Sequence, residues 1–179
     1  MHPAYASRLH SLNRSLESLL STLKGYSHQQ LNAKPAENAW SAIQVAQHLI
    51  AAEKLSLWYV KKKSAYPETF KKAGPGAWLR KNALGLILSS SIKFKAPALV
   101  SEEKFPAEAS LEHVTTAWLR VREELAELLE NTPDEWRNKL VYRHAVAGRL
   151  TLDGMLEFFT CHFDRHQKQI ERTLKSVQP

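Results

Sequence analysis

The side chains of this chain best suited to chemistry are imidazoles. Eight histidines are present, and two of them, His162 and His166, stand four residues apart in His162-Phe163-Asp164-Arg165-His166. On a helix that spacing projects both rings from one face, with Cβ atoms ~5–6 Å apart. Two imidazoles so placed can share a metal ion at about 2.0–2.1 Å from each nitrogen. Chance supplies roughly 0.35 such pairs at this histidine content, so the spacing alone is weak support. Position is stronger, because both rings fall on the same stripe as Phe159, Phe163 and Ile170, and polar rings that face a core need partners. His48, between Val45 and Leu49 on an inward stripe, can bring a third imidazole from another helix, as bundle cores do when they build metal sites. Taken singly, each ring is also explained as a hydrogen-bonded core histidine. Taken together, three inward imidazoles on two helices favour a divalent metal.

Other candidate groups fit less well. The run is not His-Glu-x-x-His, and Asp164 lies across the helix from the ring pair, in the place of a surface residue. Cys161 neighbours His162 but points ~100° away around the helix. It is the chain's one cysteine, which excludes an intrachain disulfide and any Cys₂His₂ or Cys₄ zinc site. His2, His10, His28 and His113 have surface or capping roles.

Long helices must carry these residues. Residues 4–24 place Tyr5, Leu9, Leu12, Leu16, Leu19, Leu20 and Leu23 at three- and four-residue steps, the mark of an amphipathic helix, and Gly25 ends it. Ser27 and Gln30 have capping-box spacing for a short turn of helix that Pro35 stops; Ser41 and Gln44 repeat that spacing at the head of a second long helix. From Ser64 to Pro106 the prolines and glycines predict a loop, a short helix near 77–90 whose Leu84, Ile87 and Leu88 cover the core, and another loop. A third long helix spans Leu111 to Glu130 with Ser110 as its N-cap. Thr132-Pro133-Asp134-Glu135 opens a short helix with Pro133 at its first position. A fourth long helix starts after Thr151, reaches about Val177, and carries His162 and His166. No segment has the alternation and turn signals of a hairpin, Lys139-Leu140-Val141-Tyr142 being a short, weak exception. The fold class is all-α: a four-helix bundle with short inserted helices, in one domain, 1–179.

The 179 residues carry a formal charge of +7 with 44% hydrophobic and 24% charged residues, ordinary globular composition. A chain of this length buries roughly 70% of its unfolded surface and needs no ion to hold a core. Residues 61–95 hold nine basic residues and one acid, Glu68, so the remainder is close to neutral. That segment reads as a solvated connection or as a surface for anionic molecules; it carries no nucleic-acid reader motif, so nucleic acid is not the expected partner. The start of the chain lacks the features of a signal peptide, and no apolar run approaches the ~20 residues of a membrane span. A cytoplasmic protein is expected.

Three stretches together resemble the DinB/YfiT-like superfamily: Trp40-Ser41-Ala42-Ile43-Gln44-Val45-Ala46-Gln47-His48-Leu49, His144-Ala145-Val146-Ala147-Gly148-Arg149-Leu150-Thr151-Leu152, and His162-Phe163-Asp164-Arg165-His166-Gln167-Lys168-Gln169-Ile170. The resemblance implies a DinB/YfiT-type four-helix bundle, often a homodimer, with three histidines that bind zinc or nickel. By motif position these are His48, His162 and His166. The family pattern has proline where this chain has Ala145, which questions any special turn at 144–148. Some relatives transfer low-molecular-weight thiols onto electrophiles. The functional expectation is therefore a metal-dependent enzyme acting on a small molecule, by transfer of an anionic thiol or by hydrolysis with a metal-bound water. The competing expectation is a non-catalytic binding module stabilised by the metal.

Overall fold

The computed structural model describes residues 1–90 and 105–177. The chain begins with α1, Pro3–Leu23, where His2 caps the helix by accepting the Ala4 N–H at its Nδ1, 3.1 Å away. All seven apolar residues of the sequence stripe are buried. The short α2, His28–Asn32, and the long α3, Ala42–Ser64, each open on the expected capping box, from Ser27 and Gln30 and from Ser41 and Gln44. Reciprocal capping of this kind satisfies two otherwise orphaned donors at a helix start. After a 3₁₀ turn at Pro67–Thr69 comes α4, Pro75–Ser89. It buries Leu84 and packs Leu88 on the core, with Ile87 half-buried. The loop expected after it lies largely outside the described residues, as do Lys93 and Lys95. The α5 helix, Leu111–Glu130, is capped by Ser110, and α6, Leu152–Ser176, by Thr151.

The bundle consists of α1, α3, α5 and α6. Both α1 and α3 pack against α5 and α6, so α1 and α3 occupy opposite corners; α4 lies outside, along α6. Apolar residues of all four long helices fill the interior, Trp118, Phe159 and Phe163 being the largest fully buried side chains. Truncating one such residue costs about 3–5 kcal/mol. Among the described residues, the core holds a charge pair: Arg122 on α5 donates through Nη2 to Glu53 Oε1 on α3 at 2.8 Å, both residues buried. Trp118 Nε1 donates to the same oxygen at 3.4 Å.

Two details depart from the all-helical reading. A hairpin of β1, Tyr142–His144, and β2, Gly148–Leu150, pairs Tyr142 with Leu150, Arg143 with Arg149 and His144 with Gly148. Strands of three residues are too short to show alternation in sequence. Gly148 has φ +74°, a conformation that glycine adopts without steric cost. A hairpin turn does form at 144–148, with alanine at position 145. Pro133 lies at the cap of a 3₁₀ turn, Asp134–Trp136, not inside its first position. The hairpin packs against α3 and the start of α6, closing one side of the region that holds the histidines.

Candidate metal centre

The inward stripe of α3 carries His48, and that of α6 carries His162 and His166. His48 and His162 are buried, His166 partly so. One ring nitrogen from each lies within 4.8 Å of the other two. His48 Nε2 and His162 Nε2 are 3.2 Å apart. Two nitrogens on a tetrahedral ion at the usual bond length are about 3.3 Å apart, so this edge of the triangle already has coordination length. The sequence-derived trio is therefore brought together, although 114 residues separate His48 from His162.

The surroundings of the rings suit neutral ligands. Burial is the main force holding His162 well below the usual histidine range, helped by the nearby His166 and His48. Burial, then His48, brings His166 down to about 3. His162 and His166 are thus unprotonated at neutral pH and keep a lone pair for a cation. Gln169 fixes one of them: its Oε1 lies 2.8 Å from His166 Nδ1. An amide oxygen only accepts, so Nδ1 carries the proton and Nε2 is left as the donor atom. Trp40 packs on His48 at 5.1 Å between ring centroids, and Phe158 stacks on His162 at 4.9 Å.

No carboxylate or thiolate joins this cluster among the described residues. Asp164 is exposed. The Cys161 thiol lies 3.8 Å from Glu157 Oε1, and burial followed by the Glu157 charge pushes its pKa up, which disfavours the thiolate that a metal would need. The basic segment is partly engaged elsewhere. Lys61 pairs with Glu124 at 3.2 Å, Lys81 with Asp153 at 3.0 Å, and Arg80 donates to the Arg149 carbonyl. A cation at the three imidazoles would keep its full charge and an open coordination position, the donor set of catalytic rather than structural zinc.

Sequence reasoning missed three participants. Gln169 stands three residues beyond His166, on the same helix face, which was the available signal. Phe158 stands four before His162 in the same way. His144 was quoted within a motif but given no role; its Nδ1 accepts the backbone N–H groups of Val146 and Ala147 at 3.2 and 3.1 Å.

Comparison with known proteins identifies the family and the fold. The family model of the DinB superfamily matches residues 11–170. Among solved structures, TT2238, a four-helix bundle protein, has 21% identity over 94% of this chain and 98% of its own, with TM-score 0.59. YfiT from Bacillus subtilis, described as a probable metal-dependent hydrolase with an unusual four-helix bundle topology, has 14% identity over 98% of this chain and 89% of its own, with TM-score 0.61. No curated protein sequence matches. At these identities the two structures establish a shared fold, while the family pattern runs through the helices that carry all three histidines: the chain belongs to the DinB superfamily.

Proposed function

We propose that this protein is a metal-dependent enzyme in which His48, His162 and His166 bind one divalent ion, zinc or nickel, and that it hydrolyses a small-molecule substrate. The observation that carries this reading is the convergence of three ring nitrogens within 4.8 Å of one another, one edge at 3.2 Å. The description of YfiT as a probable metal-dependent hydrolase supports it. An ion on such a donor set lowers the pKa of a bound water, or of a bound thiol, toward neutrality.

The chain's own residues supply the rest. Gln169 keeps the His166 Nε2 lone pair directed away from its Nδ1–H contact. Trp40 and Phe158 cover the flanks of His48 and His162, keeping the local dielectric low and electrostatic attraction strong. Among the described residues the cluster holds no carboxylate, which favours a second reading, transfer of a small thiol to an electrophile. A thiol can release its proton to solvent, whereas many hydrolytic metal sites use a glutamate base.

Elemental analysis of the purified protein is the first test, with near one equivalent of zinc or nickel expected. Assays of ester and amide hydrolysis, and of thiol addition to a generic electrophile, then separate the two chemistries. A metal-replete protein inactive in both assays, with a coordinatively closed ion by X-ray absorption, would return the reading to a metal-stabilised binding module.

A further inference from the structure

His144 lies outside the three-histidine cluster, and its ring is tethered at one nitrogen only. Nδ1 accepts two backbone N–H groups. A ring nitrogen in that position carries no proton, so the neutral imidazole is the Nε2–H tautomer. Burial brings the ring's pKa down to about 4, so it is neutral at pH 7. Nothing among the described residues accepts from Nε2–H, and the ring is only partly buried. Stabilising the turn does not require that second nitrogen, because an asparagine oxygen accepts the same pair of N–H groups in an Asx turn.

The location of the ring gives the spare donor a use. His144 meets Phe158 edge to face at 4.5 Å, and Phe158 stacks on His162 at 4.9 Å. A single aromatic ring therefore separates His144 from a candidate ligand. A rigid, uncharged N–H donor beside the centre selects ligands with an oxygen acceptor at that distance. Resting on the nucleophile-activating reading above, we propose that His144 is a substrate-binding residue: its Nε2–H donates to a carboxylate or carbonyl oxygen of a small ligand whose other end is anchored at the three-histidine centre.

The test uses the cobalt(II)-loaded protein and two thiols, 3-mercaptopropionate and ethanethiol, which differ in the carboxylate. Titration is followed by the cobalt–sulfur charge-transfer band. The wild type should bind 3-mercaptopropionate about tenfold more tightly, the worth of one hydrogen bond to a charged acceptor. His144→Asn, which keeps the turn, should lose that preference while taking up cobalt normally. Equal binding of the two thiols by the wild type, or a preference that survives in His144→Asn, overturns the assignment and leaves the metal reading intact. A protein that takes up no cobalt overturns the metal reading and this proposal with it, whereas a cobalt spectrum that neither thiol changes overturns this proposal alone. Nitrogen-15 spectra of the wild-type ring give an independent readout should the variant fail to fold. An Nε2–H signal that shifts with 3-mercaptopropionate and not with ethanethiol supports the proposal; an Nδ1–H tautomer, or an unmoved signal, refutes it.

Discussion

Replacing Gln169 by leucine probes how strongly a group that never touches the ion governs its binding. Among the described residues, Gln169 makes its polar contact with His166, where its oxygen takes the Nδ1 proton at 2.8 Å. Leucine keeps the helix and the approximate volume but leaves the ring free to place its proton on either nitrogen. The lost hydrogen bond is worth about 0.5–1.5 kcal/mol net, and about 1.4 kcal/mol is tenfold in a binding constant. Removing such partners of ligating histidines typically costs 10–100-fold in affinity. Zinc should therefore bind to Gln169→Leu about tenfold more weakly than to the wild type. Competition with a chromophoric chelator at fixed pH measures this directly, and circular dichroism checks that the helices remain. A zinc affinity within twofold of wild type, in a folded variant, would refute the view that Gln169 fixes the tautomer of a ligand.

Other substitutions probe different parts of the argument. His162→Ala should lose the ion yet remain helical, because apolar stripes on four helices hold the core without it; collapse of the circular dichroism signal in the variant would show a structural site. Arg122→Met should cost about 3–5 kcal/mol in urea unfolding, since it strands a buried carboxylate, whereas Glu53→Leu combined with Arg122→Met should recover most of that loss; equal losses in the single and double variants would contradict it. The metal-free protein should also be acid-sensitive through His144. Its folded pKa near 4 lies below the unfolded value of 6.5, so the unfolded state binds more protons between those values, and stability falls as pH drops through that window. Between pH 7 and 4.5 the effect is about 2 kcal/mol, read as the extra loss in the wild type relative to His144→Asn; parallel pH profiles would exclude it.

Helix boundaries were legible wherever the determinant was local. Ser41 and Gln44 cap α3 from three residues apart, and Ser110 and Thr151 act over the same range. The convergence of His48 with His162 could be inferred because both lie on inward stripes of long helices, and stripe phase survives in sequence. The hairpin could not, since each strand is three residues long and its turn depends on a side chain accepting from its own following backbone. The Glu53–Arg122 pair lay between these cases. Glu53 shares its inward phase with Leu49, Leu57 and Val60, a visible anomaly, but the partner on α5 is 69 residues away and no local pattern names it.

That charge pair also bears on how accurately the centre is assembled. Its orphaned atoms, Glu53 Oε2 and Arg122 Nε and Nη1, have no hydrogen-bond partner among the described residues, so it contributes little to stability. Its value lies in what it forbids. Sliding α3 by one residue would rotate each side chain about 100°, separating the two charges within a dry core at a cost of several kcal/mol. The same slip would swing His48, five residues before Glu53, away from α6. The pair thus penalises misalignment of α3, the helix that carries His48, through a contact outside the imidazole cluster.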